Sequence, residues 1–216
     1  MPLSDRDYMR RSAQPSRGGS RGGTFSDWLI QNPVLALIVV NIVFYIATNL
    51  SHGLVGRLGL TPALLAHRPW TILTAMFVHA DFWHIFGNMI TLFFFGRALT
   101  QIIGTNRFLA IYFIGGIIGN LLYYLIELHS LSPVIGASGA VFAVAVALAV
   151  LVPNMQVRIY FVLPVPLWIS VLIFFGIWSI PNLFPGIAWQ AHLGGLATGL
   201  VAGFLLRRTG RYYYFR

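Results

Sequence analysis

From Ile159 to Leu206 the chain runs 48 residues without an Asp, Glu, Lys or Arg. A run this long and apolar is too costly to leave in water, and it is long enough for two helical spans of ~20 residues each. Pro181-Asn182 and Pro185-Gly186 mark the break between them. This places a fifth span near Val165–Ile180 and a sixth near Gln190–Leu206.

Four earlier segments read the same way. The charge-free stretch after Trp28 gives a first span near Val34–Leu50, and apolar runs give a second near Phe82–Leu99 and a third near Phe108–Leu128. Ser132-Pro133 interrupts the next uncharged run, so the fourth span starts near Ile135 and ends near Val152. Residues 51–78 hold Gly53, Gly56, Pro62, Pro69 and two arginines. They are too broken for a span and too apolar for a solvated loop, which predicts a partly embedded interfacial connection. Only 9% of all residues are charged, against about 25% in soluble domains. The expected fold is therefore an all-α polytopic membrane protein, a bundle of six transmembrane helices over residues 28–208. Residues 1–27 form a Ser/Gly/Arg-rich disordered tail, and 209–216 a short basic, aromatic one. The first apolar run begins too far from the start for a secretory signal and is expected to remain as a span.

Arginine orients the bundle. The net charge of +9 is carried by arginine alone, and nine of the fourteen lie in residues 1–21 and 207–216. Six spans put both termini on one side, together with Arg97, Arg107 and Arg158. Only Arg57 and Arg68 fall on the other. The positive-inside rule then predicts a cell-membrane protein with cytoplasmic N and C termini. Clusters flanking apolar spans are topology signals and lipid contacts rather than a nucleic-acid surface.

Inside this hydrocarbon sit a few polar side chains that cost several kcal/mol each when unpaired there. They are Ser138 in Gly136-Ala137-Ser138-Gly139, His192 in Ala191-His192-Leu193-Gly194-Gly195, and His84 with Asn88 four residues on. Spans two, four and six all enter from the outer face, and each carries its polar residues in its first turns. At ~1.5 Å per residue, all four lie within roughly 10–12 Å of that face. Ser138 at a helix N-terminus has backbone N–H groups and a favourable dipole at hand for a developing oxyanion. His192 as neutral imidazole can take and return its proton. His84 and Asn88 share a helix face and can donate towards one point. The residues thus predict an intramembrane serine hydrolase whose site opens to the outer side. Glycines at four-residue spacing (Gly195, Gly199, Gly203), with Gly115, Gly116 and Gly119 in span three, let the helices approach closely.

At these residues the chain resembles the rhomboid family of intramembrane serine proteases. The family pattern is a G-x-S-G heading the fourth span, an A-H-x-x-G in the sixth, and H-x-x-x-x-H-x-x-x-N in the second. Here these read as Gly136 to Gly139, Ala191 to Gly195, and His79, His84 and Asn88, over about Val34 to Arg208. The resemblance implies a Ser138–His192 dyad with no third carboxylate. It also implies an oxyanion site of the Ser138 N–H, His84 and Asn88, supported by His79, Phe142, Gly136 and Gly139, and no cofactor or metal. It further implies single-span transmembrane protein substrates, cut near the outer membrane boundary. The compact six-span form resembles prokaryotic members.

Two departures stand out. Phe142 stands where a tyrosine is common, and Thr100 between Gly96 and Gly104 where the family has glutamate. The glutamate's loss bears on a tie to the first loop rather than on the chemistry. Arg68 before Pro69-Trp70 is the nearest match to a Trp-Arg pair of that loop, and nothing is carried onto it.

Other readings are narrower. Asp81 invites a Ser-His-Asp triad, but it also stands where a helix N-cap belongs. Glu127 and His129 read as a solvated pair, and Tyr212 to Phe215 as an interfacial anchor. The chain has no H-E-x-x-H for a metalloprotease and only one aspartate beyond residue 27, too few for an aspartyl protease. With no cysteine there is no thiol nucleophile or Cys-ligated metal. A catalytically silent relative that binds membrane clients is the alternative, although such proteins usually lack the serine or histidine. A channel or transporter would be expected to carry intramembrane carboxylates. The fifth span and the Pro181–Trp189 loop are the expected gate for substrate.

Overall fold

Proline at the first helical position costs no hydrogen bond, and Pro33 opens the first helix, α1 (Pro33–Leu50). The computed structural model describes residues 31–159, 163–177, 179, 180 and 186–209, with backbone alone at 52, 158, 159, 163 and 209. All of them but Gln31 belong to the unit Asn32–Arg216. The expected tail over 1–27, the Tyr212–Phe215 anchor and most of the segment between the fifth and sixth spans lie outside the described residues.

The first connection is not a loose loop. It holds α2 (His52–Leu58), a 3-10 turn at Pro62–His67, and α3 (Thr71–Thr74) running into a second 3-10 turn at Ala75–Phe77. Side chains close it on itself: Arg68 Nη1 donates to the Gly56 carbonyl at 2.6 Å, Trp70 Nε1 to that of Arg57 at 3.1 Å, and the Thr74 hydroxyl to that of Leu58 at 2.7 Å. These bonds satisfy backbone carbonyls that a broken, apolar segment would otherwise leave unpaired.

The remaining elements are α4 (Phe82–Ile103), α5 (Thr105–Ile126), α6 (Ser138–Leu151), an antiparallel pair β1 (Gln156–Ile159) and β2 (Leu163–Pro166), α7 (Leu167–Gly176) and α8 (Trp189–Thr209). α1, α4 and α5 are each long and apolar enough to cross a membrane. Asp81 caps α4, its Oδ1 accepting from the His84 N–H at 2.9 Å. That gives Asp81 the capping role.

Several boundaries differ by a few residues from the sequence reading, and two of the differences have a visible cause. Val165 and Pro166 belong to β2, whose register pairs Gln156 with Pro166 and Ile159 with Leu163. The fifth helix therefore starts at Leu167. The fourth helix begins at Ser138 rather than near Ile135, because Val134 pairs with Leu60 of the first connection and Gly136 donates to the Ala75 carbonyl at 2.9 Å. At 14 residues α6 covers about 21 Å, short of the ~30 Å hydrocarbon thickness. Gly139 to Ala149 and Leu151 are all buried, so α6 is the bundle's core.

α8 packs along α6 and α5, which also pack on each other, while α1, α4 and α7 flank this centre. Small residues set the spacing. A Cβ on Gly195 would run into the Gly139 carbonyl, and one on Gly199 would sit 2.5 Å from the Ala143 carbonyl oxygen. Outward, Val43, Phe94, Ile114, Val201 and Phe204 form part of an exposed apolar surface that suits lipid.

Candidate active site

The glycine contacts bring the start of α6 against the first turns of α8. There the Ser138 Oγ lies 2.9 Å from His192 Nε2, across 54 residues of chain. Ser138 is the first residue of α6, so its hydroxyl stands beside N–H groups that have no intrahelical acceptor. It is half-buried, whereas His192 is buried. The His192 ring is backed by Phe142, one turn along α6 from Ser138, stacked at 4.2 Å and 25°. Phe142 in turn meets Phe175 of α7 at 4.3 Å and 88°. The ring is therefore fixed on one face and at Nε2, the two constraints a general base needs.

His84 approaches from α4. Gly136, with φ of +122°, turns the chain so that a Cβ there would lie 2.6 Å from His84 Nε2 and 3.8 Å from the Ser138 Oγ. Glycine is required both for that backbone angle and for room. His84 Nδ1 accepts from the Ala80 N–H at 3.4 Å, which places the proton of the neutral ring on Nε2, the nitrogen beside Gly136. His84 thus presents a donor close to the serine.

Asn88 is buried one turn further along the same face, and its amide donates to the His84 carbonyl at 2.8 Å. One of its two N–H groups is spent on its own helix, leaving one to donate elsewhere. His79 is buried beneath the turn, accepting from the Ala137 N–H at 3.4 Å with its ring 5.0 Å from that of His84. Burial first, and the neighbouring His84 second, lower the His79 pKa to about 3, so it stays neutral. Gly139, just after the serine, lies against the Ala191 carbonyl, just before the histidine.

The geometry thus gathers Ser138, His192, His84, His79, Phe142, Gly136 and Gly139 at one end of α6. Among the described residues no cluster of three His, Asp or Glu side chains is present to hold a metal.

The sequence signature of the rhomboid domain matches residues 66–209, two thirds of the chain. The chain belongs to the rhomboid family. Among its relatives, Rhomboid protein 1, mitochondrial, of Saccharomyces cerevisiae is 32% identical over 147 residues, 64% of this chain and 42% of that protein. RHOMBOID-like protein 1 of Arabidopsis thaliana is 30% identical over 170 residues, 74% of this chain and 40% of that protein. RHOMBOID-like protein 12, mitochondrial, of the same plant is 30% identical over 162 residues, 67% and 48%. The matched stretches span less than half the length of these relatives.

The rhomboid match contains every residue gathered at the site, while α1 lies before it. Phe142 keeps an aromatic ring on the histidine without the hydroxyl common in rhomboids. Thr100, in place of the glutamate, donates its hydroxyl to the Gly96 carbonyl of its own helix at 2.7 Å.

One contact escaped the sequence reading. Gln190, buried two residues before His192, donates to Glu127 Oε1 at 2.9 Å and ties the first turn of α8 to the end of α5. Its signal was present. Glu127 is the chain's one glutamate, and the topology expected from the sequence puts both residues at one end of their helices.

Proposed function

We propose that this rhomboid is an intramembrane serine endopeptidase that cuts single-span membrane proteins near the outer membrane boundary. The reading rests above all on the 2.9 Å contact between Ser138 and His192. Ser138 Oγ attacks the scissile carbonyl carbon as His192 Nε2 takes the hydroxyl proton. The tetrahedral oxyanion is received by the Ser138 N–H, His84 Nε2–H and the remaining Asn88 N–H. His192 then gives its proton to the leaving amine as the C–N bond breaks, and water resolves the acyl-enzyme by the reverse sequence. His79 supports the backbone before Ser138, and Phe142 holds the histidine plane.

Among the described residues, three helices are long and apolar enough to span by themselves. In the proposed six-span arrangement the buried α6 and the other two helices complete the crossing in the cell membrane. The Arg-rich ends lie on the inner side, and the site opens outward. Residues 1–27 and 209–216 would act as tails.

The test is cleavage of a single-span reporter by purified protein in liposomes, beside Ser138→Ala and His192→Ala. Cuts near the reporter's outer boundary that vanish in both variants support the dyad. A Ser138→Ala protein that still cuts refutes it. Folded wild type that binds reporters without cutting them favours a client-binding role.

A further inference from the structure

α4 and α7 each contain a π-helical turn, Leu92–Gly96 and Leu172–Gly176. Such turns are rare and concentrate at functional sites. Here each carries one member of an aromatic pair: Phe95 and Phe175 meet at 6.4 Å and 45°. On α7, Leu172, Ile173 and Phe174 are exposed, whereas Phe175 is buried and reaches the core. Its ring stands perpendicular to Phe142 at 4.3 Å, and Phe142 lies against the His192 imidazole at 4.2 Å. Four rings from four helices thus form one chain that ends on the group hydrogen-bonded to Ser138.

We propose that Phe175 is a positioning residue for His192, acting through Phe142. The proposal rests on reading His192 as the general base. A phenylalanine in a core turns about its outer torsion unless something blocks it. The perpendicular Phe175 ring is that block, and with Phe142 held flat the imidazole keeps the plane that aims Nε2 at the serine. Aromatic pairs of this kind favour their arrangement by roughly 2- to 13-fold. The position of α7 is thereby coupled to the base, although α7 supplies no reacting atom.

The experiment compares Phe175→Leu, Phe142→Leu and the double variant, which keep apolar bulk and remove the rings, with Phe175→Tyr as the ring-preserving rescue. Reporter cleavage in liposomes should show kcat down about 10-fold in each single variant, with KM unchanged. The double variant should also lose about 10-fold, because Phe175 has nothing to hold once Phe142 is gone. Phe175→Tyr should restore the rate. A double loss near 100-fold, an effect confined to KM, or no rescue by tyrosine would overturn the proposal.

The His192 ring protons provide a readout without substrate. Stacking on Phe142 shifts their NMR signals upfield, and that shift should vanish in Phe142→Leu and shrink in Phe175→Leu. An unchanged signal in Phe175→Leu overturns the coupling. If wild type cuts nothing while the signal responds, the proteolytic reading fails and the positioning role stands.

Discussion

Replacing Gly199 by alanine should disable the site from two turns away. The added Cβ would lie 2.5 Å from the Ala143 carbonyl oxygen, 2.8 Å from Val146 Cβ and 3.0 Å from Ala143 Cα. None of these is the loose end of a side chain. Ordinary contact begins at 3.4 Å, so α8 must move off α6 by about 0.9 Å at this level. His192 lies seven residues up the same helix, about 10 Å along its axis. If α8 shifts bodily, the Ser138–His192 separation grows from 2.9 Å to about 3.8 Å, beyond hydrogen-bond length. A misplacement of ~1 Å can cost about 10²-fold in rate, and overpacking typically costs about 1–3 kcal/mol in stability. The assay is kcat for reporter cleavage in liposomes, with thermal unfolding measured in parallel. Gly53→Ala, where a Cβ meets nothing within 4 Å, is the control. A folded Gly199→Ala protein that cuts at the wild-type rate would refute the claim that helix approach sets the dyad distance.

Other substitutions probe other links. Gly136→Ala pushes a methyl into His84 and forces a positive φ on alanine, so kcat should fall about 10²–10³-fold, as for loss of one oxyanion donor. His84→Ala should match it, and the double variant should be little worse. Glu127→Leu leaves the buried Gln190 amide without its acceptor and should cost about 1–3 kcal/mol, read as a lower Tm, whereas Glu127→Gln keeps an acceptor and most of the stability. His79 is held neutral in the fold down to about pH 3 but takes up a proton near pH 6.5 once unfolded. Its stabilising contribution is therefore complete above pH 6.5 and is lost as the pH falls towards 3, by about 2 kcal/mol at pH 5. The acid-side decline of Tm should be shallower in His79→Gln.

Helices that bury an apolar surface against lipid are legible in local composition, which is why α1, α4 and α5 start and end within a few residues of their expected bounds. Asp81 was readable as a cap because its role is local to the first turn of α4. The glycine spacing in α8 was readable because the close approach of helices demands small residues at fixed intervals. What escaped was set by partners far away in the chain. Nothing near Val134 shows that Leu60 pairs with it and delays α6 to Ser138. Leu163 to Pro166 are as apolar as a span; Pro164 and Pro166 disfavour helix there, and pairing with β1 makes them a strand. The site itself was half legible. Motif and topology placed Ser138, His192, His84 and Phe142 together, but Phe175 of α7, which backs Phe142, and Glu127 at the end of α5, which binds Gln190, come at no characteristic spacing.

The contact between Ser138 and His192 joins residues 54 positions apart, and this separation is also an interval of time. At synthesis rates of about 5–20 residues per second, Ser138 leaves the ribosome roughly 3–11 s before His192 follows. Through those seconds the hydroxyl sits at the head of a helix without the His192 imidazole to take its proton, an ordinary alcohol surrounded by nascent membrane protein. α8 brings the histidine and the glycine face that seats it in the same stroke, so in the proposed protease arming the serine is the act of closing the bundle. For the proposed protease, an unfinished chain is therefore a harmless one.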